Sequence, residues 1–191
     1  MPEDPVFEVF RSASPREILL RIAEGDPLEI APRCTEFLRE EAWLIDAERM
    51  TLRSFACTAY AAVGYRGAPP LSEWLHARLH EAARQLLEEE QEAVQSGVPT
   101  SRQAEQHLRF LADALGVEFP IARRACVALN SLRREPRRTV WAVLIEGRSA
   151  SELDRESGRP TGSARAHLVQ AVEAIREWTR LDGWNWKAVD L

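Results

Sequence analysis

Few residues in this chain have both the type and the spacing that catalysis or metal binding would require. His76 and His80 lie four positions apart, and this spacing lets two imidazoles on one helix share a metal ion. No glutamate follows His76 and no third ligand is evident, so the sequence predicts no metal site. Carboxylate pairs such as Glu40 and Glu41 are too scattered to act as an acid and a base. With no glycine-rich phosphate loop and no ordered Ser/His/Asp set, we expect neither an enzyme nor a bound cofactor.

The cysteines and the first residues indicate a cellular compartment. Cys34, Cys57 and Cys126 are odd in number and far apart, a usage typical of reduced thiols in the cytosol. No apolar run approaches the ~20 residues that span a bilayer, and the first ten residues are acidic where a signal peptide is basic. We therefore expect a cytoplasmic protein with no membrane partner and no small-molecule substrate.

The distribution of charge limits where nucleic acid could bind. The 191 residues carry 25 basic and 30 acidic side chains, for a formal net charge of −5. Since a chain of this sign does not coat nucleic acid by bulk charge, any such binding must be local. Residues 1–90 carry 10 arginines against 17 acids, whereas residues 132–191 carry 11 basic against 9 acidic side chains. The C-terminal third is therefore the part in which a phosphate backbone would be tolerated.

Helical spacing of apolar residues recurs along the chain, and alternating strand patterns are almost absent. This periodicity predicts an all-α protein of two helical lobes. We expect an N-terminal lobe over residues 1–94, a linker with an additional helix over 95–131, and a C-terminal lobe over 132–191. The predicted helices of the first two parts lie at about 15–25, 28–44, 46–63, 72–94, 102–115 and 121–132.

Three helices are predicted in the C-terminal lobe. The first begins at Pro136. The second is introduced by Ser149 and Glu152, which have the spacing of a capping box, and it stops at Gly158. We expect Thr161 to cap the third helix through its hydroxyl. Two helices joined by a tight glycine-containing turn, the second one longer, are typical of a helix-turn-helix. The third helix carries one apolar stripe: Ala164, Leu168, Ala171, Ile175 and Trp178.

Both lobes resemble bacterial sigma factors, most closely the small two-domain class called extracytoplasmic-function. Residues 18–27, the run Asp46-Ala47-Glu48 with Phe55 and Tyr60, and residues 71–87 resemble the second conserved region of that family. Residues 132–175 resemble its fourth region: a leucine, a proline followed by arginines, an apolar helix, Gly-x-Ser-x-x-Glu-Leu, a turn, and Gly-x-x-basic-x-x-Leu. The match covers most of the chain, in the family's order and at nearly its spacing.

The resemblance implies a dissociable subunit that binds core RNA polymerase and promoter DNA, with an anti-sigma factor as a further partner. It places polymerase binding at Asp46, Glu48, Arg49 and Arg53. Promoter melting or reading, for which aromatic side chains supply stacking surfaces, falls to Tyr60, Tyr65, Trp74 and Arg78. The DNA-binding positions of the C-terminal lobe are Arg159, Thr161, Ser163, Arg165, Ala166, His167 and Gln170.

Several positions depart from the family's pattern and keep a second interpretation open. Arg49, Leu52 and Arg53 stand where the family has acidic residues and a glutamine, and residues 88–90 are glutamates where it has an arginine pair. The family's arginines are also replaced at His167 and Gln170. The alternative is a sigma-like protein-binding module that has lost promoter reading and acts as a polymerase adaptor or by sequestering an anti-sigma factor.

The last residues add an aromatic segment with Trp184, Trp186 and Leu191. We expect it to pack back over the C-terminal lobe, or to serve as a docking peptide for a partner.

Overall fold

A computed structural model describes residues 13–98 and 102–180, and the side chains of these ranges apart from residues 102–107. Every regular element in these ranges is a helix, which confirms the all-α prediction. The Trp184-Trp186 segment lies outside the described residues. The helices are α1 (Pro15–Gly25), α2 (Ile30–Glu41), α3 (Ala47–Ala62), α4 (Leu71–Gln95), α5 (Arg102–Leu115), α6 (Phe119–Asn130), α7 (Arg134–Leu144), α8 (Ala150–Ser157) and α9 (Ser163–Thr179).

The chain divides into two compact units. The N-terminal unit comprises Met1–Arg39 and Ile45–Glu89, and the C-terminal unit comprises Glu40–Leu44 and Glu90–Leu191. The second unit therefore takes in residues 102–130, most of the stretch 95–131 that the sequence assigns to a linker with an additional helix. Both α5 and α6 belong to its core, because each carries an apolar stripe that is buried in the same cluster as α7 and α9.

Two side-chain caps fix where the first two helices of the N-terminal unit begin. Ser14 accepts a hydrogen bond from the backbone of Glu17, whose carboxylate in turn bonds to the Ser14 backbone, so that α1 begins with a capping box. Asp26 ends α1 in a left-handed conformation and its carboxylate accepts hydrogen bonds from Ile30 N (2.7 Å) and Ala31 N (2.8 Å). This second cap explains why α2 begins at Ile30 and not at the predicted residue 28.

In the C-terminal unit, α9 is the central helix. It packs against α6 and α7 and contacts the short α8, while α5 packs on α6. Leu168, Ala171 and Ile175 of α9 are all at most 1% exposed and lie in one cluster with Leu111 and Leu129. Burial of this stripe fixes which face of α9 is left toward solvent.

The segment Glu40–Leu44 is held in the C-terminal unit by side chains of α6 and α7. Asn130 accepts a hydrogen bond from Leu44 N (2.8 Å) and donates one to Leu44 O (3.0 Å), as a neighbouring strand would. The buried Arg137 donates from Nε to Glu41 O (2.7 Å) and lies 4.8 Å over the ring of Trp43. Burial lowers the pKa of Arg137 to about 10, against the opposing effect of the Glu41 carboxylate.

No helix in the part of the chain that the structure describes combines the length and the apolar character that crossing a bilayer requires.

Candidate nucleic-acid interface

The start of α9 is fixed by a buried carboxylate on α8. Asp154 is 6% exposed; its Oδ2 accepts a hydrogen bond from Gly162 N (2.7 Å) and its Oδ1 accepts one from Ala164 N (2.8 Å). A negative charge at this point also stabilises the positive end of the helix dipole. The two helices of the turn are therefore joined by an ion–backbone contact as well as by apolar packing.

Asp154 replaces Thr161 as the cap of this helix, so the prediction for Thr161 is wrong. Thr161 is exposed, and the N-cap is Gly162, with φ of 94°, a left-handed conformation that a β-branched residue such as threonine resists. The capping box predicted at Ser149 and Glu152 is confirmed, with α8 ending at Gly158. The sequence contains a signal that could have identified Asp154 as this cap. Asp154 lies on the inward face of α8 with Ala150 and Leu153, and a carboxylate buried there needs a hydrogen-bond partner.

Four of the predicted DNA-binding positions lie on the solvent face of α9 or beside its start. Arg165, Ala166 and Gln170 are exposed, together with Val169, which is 40% exposed. Ser163 is half-buried and donates a hydrogen bond from Oγ to Pro160 O (2.7 Å), which tightens the turn. The exposed face is thus mixed, with an apolar centre formed by Ala166 and Val169 and a polar side chain on each flank.

Arginines supply the positive charge around this face. Arg165 forms no hydrogen bond or ion pair with any residue that the structure describes, so its guanidinium is available to a ligand. Arg155 on α8 and Arg138 on α7 are also exposed. The predicted contact residue Arg159 is instead engaged in an ion pair with Glu135 of α7, and a phosphate would have to compete for it.

His167, another predicted contact, points toward α7. Its Nδ1 lies 2.9 Å from the hydroxyl of Thr139, which itself donates a hydrogen bond to Glu135 O (3.0 Å). Thr139 is 4% exposed and His167 is half-buried. His167 therefore joins α9 to α7, because a helix of this pitch brings position 167 to the edge of the buried stripe, and its role as a groove contact stays a prediction.

In the N-terminal unit, two of the aromatic residues predicted to melt or read a promoter are part of the core. Tyr65 and Trp74 are 6% and 7% exposed, with ring centroids 4.7 Å apart, and the Tyr65 hydroxyl donates to Pro69 O (2.6 Å). Arg78 lies 5.9 Å from the Trp74 ring and pairs with Glu81 at 2.9 Å. Tyr65 and Trp74 therefore cannot offer a ring face to an unpaired base.

Tyr60 is the exception among those aromatics. It is 80% exposed on α3, and Leu52 of the same helix (59%) and Val63 at its C-cap (37%) are also exposed. Exposed large apolar side chains of this kind favour binding to another macromolecule, since they gain from leaving water.

The four residues predicted to bind polymerase lie on α3 or at its N-cap. Asp46 caps α3 by accepting a hydrogen bond from Arg49 N (2.8 Å). Arg53 binds both carboxylate oxygens of Glu89, at 2.7 and 2.9 Å, and also reaches Gln85 Oε1 at 3.1 Å. Glu48 and Arg49 are exposed. The guanidinium of Arg53 thus connects α3 to α4, and a polymerase carboxylate would have to compete with Glu89 for it.

The acidic run 88–90 is neutralised by arginines and not simply solvated. Glu88 pairs with Arg84 at 2.7 Å on the same helix. Glu89 pairs with Arg53, and Glu90 pairs at 2.6 Å with Arg123 of α6, which is 8% exposed. Three successive carboxylates thus have three different arginine partners, which lowers the repulsion that the sequence alone suggests toward phosphate.

A groove of about 450 Å³ lies between α2 and α3, next to these exposed residues. Its walls are mostly apolar, and Glu48 and Leu52 stand at its α3 side. Such a groove suits a side chain of a protein partner better than a charged ligand. The lining residues are Ala31, Pro32, Thr35, Ala47, Glu48, Thr51 and Leu52.

Neither a cluster of metal ligands nor an activated thiol is found among the described residues. No group of three or more His, Cys, Asp or Glu side chains there could hold a metal ion. Cys34 and Cys126 are buried and Cys57 is half-buried, and all three are free. Burial raises the pKa of Cys126 to about 12, so this thiol is a poor nucleophile at neutral pH.

Comparison with known proteins gives no relative from which a role could be inferred. No protein-family model, no curated protein and no solved structure matches the chain. Its function has to be inferred from the geometry of each unit.

Proposed function

We propose that this protein is a sigma-like transcription factor that binds core RNA polymerase and directs it to promoter DNA through α9. The observation that carries the proposal is the pair of hydrogen bonds from Gly162 N and Ala164 N to the buried Asp154 carboxylate. They position a helix-turn-helix whose second helix has a solvent face with polar reach at Arg165 and Gln170. In this proposal, residues 1–94 and 132–191 are the counterparts of the second and fourth sigma regions.

The exposed side chains of α9 match the chemistry of base edges in the major groove. An arginine such as Arg165 can donate two hydrogen bonds to guanine O6 and N7, and a glutamine such as Gln170 can bind adenine N6 and N7. Ala166 and Val169, between them, are suited to the methyl group of thymine. Arg138 and Arg155 add charge for the phosphates beside the groove.

The N-terminal unit supplies a docking surface for polymerase on α3. Glu48 and Arg49 are exposed beside the groove, and Leu52 adds apolar area at the same place. An interface of this composition, an apolar centre with a charged rim, takes its specificity from the rim. A helical element of the polymerase is the partner we propose for it.

Run-off transcription tests the proposal. DNA fragments are first selected from a random pool by the purified full-length protein, and a template carrying the selected site is then transcribed by core polymerase. We expect a defined transcript only when the protein is present. Leu52→Glu, at a side chain 59% exposed, should abolish the transcript while leaving DNA binding unchanged. The absence of a transcript together with the absence of selected DNA would overturn the proposal.

A second function is favoured by the burial of Tyr65 and Trp74. Because these two rings are buried, a sigma-like protein has fewer surfaces on which unpaired bases could stack. The exposed side chains of Leu52, Tyr60 and Val63 remain suited to contact with another protein. The chain would then act as an adaptor on polymerase or sequester an anti-sigma factor. Co-purification from the native cell separates these roles: polymerase bound without promoter use indicates the adaptor, and a small helical partner bound without polymerase or DNA indicates sequestration.

A further inference from the structure

The two histidines of α4 lie closer together than their sequence spacing requires. Nε2 of His76 and Nε2 of His80 are 3.1 Å apart, with the two ring planes inclined at 76°. His76 is exposed and His80 is half-buried, so the gap between the nitrogen atoms is reached from solvent. The two nitrogen atoms that face each other are the ring atoms through which histidine binds metals.

A buried ring holds both imidazoles in this arrangement. Phe37 of α2 is 2% exposed and contacts His76 and His80 edge-on, with centroid distances of 5.3 and 4.7 Å. The interplanar angles are 82° and 88°, the T-shaped geometry that aromatic pairs prefer. The rotamers of both histidines are therefore restricted before any ligand arrives, which reduces the entropy lost on binding.

The two nitrogen atoms share a hydrogen bond, which a metal ion would replace, with the proton of the donor ring carried on Nδ1 instead. The distance between them fits two ligands of one metal ion. With metal–nitrogen bonds of ~2.0–2.1 Å, nitrogens separated by 3.1 Å subtend an angle of about 100° at the metal. That angle lies between the cis angle of a square-planar or octahedral ion and the tetrahedral angle. Imidazole nitrogen is a ligand for Cu²⁺, Ni²⁺ and Zn²⁺, whereas Mg²⁺ prefers oxygen.

We propose that His76 and His80 form a binding site for a divalent late transition-metal ion, with Cu²⁺ and Ni²⁺ as the best fits and water completing the coordination. The site does not depend on DNA or polymerase binding. It differs from the sequence expectation, which required a third protein ligand; the structure supplies instead a pair of nitrogen atoms oriented by Phe37. Affinity should follow the general order for nitrogen ligands, Cu²⁺ above Ni²⁺ and Zn²⁺.

Equilibrium dialysis of the full-length protein against Ni²⁺ tests the proposal directly. We expect one equivalent of Ni²⁺ per chain, and a loss of affinity of roughly tenfold or more in either His76→Gln or His80→Gln, since a single imidazole remains. His167→Gln, which removes an imidazole that lies 2.9 Å from the Thr139 hydroxyl, is the matched control and should keep wild-type affinity. Mg²⁺ at the same concentration should not compete.

Thermal unfolding gives an independent readout. For the wild-type protein the melting temperature should rise with the logarithm of free Ni²⁺ concentration once it exceeds Kd, because the folded state alone presents the paired nitrogens. In His76→Gln and His80→Gln this metal-dependent rise should vanish, even if the variants differ in stability without metal. Equal Ni²⁺ affinity in wild type and both variants, or no binding by the wild type, would overturn the proposal.

Discussion

Asp154 accepts a hydrogen bond from the backbone N–H of Ala164 at 2.8 Å, from a position ten residues earlier and on a different helix. With its second oxygen on Gly162 N, the same carboxylate satisfies two of the N–H groups that every helix leaves unpaired at its start. One side chain therefore ties the start of α9 to α8. The proposed DNA-reading face depends on this contact.

Replacement of Asp154 should loosen the start of α9. Because the carboxylate is buried and accepts two backbone hydrogen bonds, Asp154→Ala should lower the free energy of unfolding by about 2 kcal/mol, and Asp154→Asn by less. Hydrogen exchange of the Ala164 and Gly162 amides should accelerate in both variants. Glu173→Ala, at an exposed position of the same helix, is the control that should change neither quantity. Unchanged exchange at Ala164 in Asp154→Ala would show that the cap is dispensable.

The apolar centre of α9 predicts a dependence on thymine methyl groups. In the DNA selected by the protein, replacing individual thymines by uracil removes only the C5-methyl group. At a thymine that meets Val169, affinity should fall about fourfold, the value expected for one buried methyl group. Val169→Ala should bind the thymine site more weakly and show little further loss with uracil. If the change from thymine to uracil weakens DNA binding by Val169→Ala as much as it weakens binding by the wild type, Val169 does not contact that methyl group.

The capping box of α8 predicts a titration that can be followed at one residue. Hydrogen bonds from the Ser149 backbone and side chain hold the pKa of Glu152 below its usual 4.5. Since the folded-state pKa is depressed, this stabilisation is fully present above pH 4.5 and is lost as the pH falls through the folded-state pKa. NMR titration should show the Glu152 pKa returning toward 4.5 in Ser149→Ala. An unchanged Glu152 pKa in Ser149→Ala would contradict the contribution of the Ser149 hydroxyl to the cap.

The sequence allowed the helices to be predicted because their apolar stripes and caps are local. The capping box at Ser149 depends on residues three positions apart, and α1 coincides with its predicted bounds of 15–25. The sequence also indicated the longer second helix of the turn. These features are settled by neighbours within one helical turn, which is the range over which a sequence pattern is informative.

Contacts between helices were not predictable in the same way. Nothing local distinguishes Trp74, which packs on Tyr65, from Tyr60, which is 80% exposed, because an aromatic residue suits a core and a binding surface equally. The pairing of Arg53 with Glu89 joins residues 36 positions apart, so no local pattern predicts it. Similarly, the apolar stripes of α5 and α6 predict two helices, but they do not indicate which other helices bury those stripes.

Binding of the selected DNA by Arg165→Ala tests the DNA-reading role of α9 most directly. Arg16→Ala is the matched control, an exposed arginine on α1 of the other unit. Affinities are measured by fluorescence anisotropy over a range of salt concentrations. We predict that Arg165→Ala weakens binding by roughly 1–3 kcal/mol with relaxed specificity if the guanidinium reads a base, or lowers the salt slope by about one if it contacts a phosphate, while Arg16→Ala changes neither. Equal affinity and equal salt slope for the two variants would contradict the assignment of α9 as the DNA-reading helix.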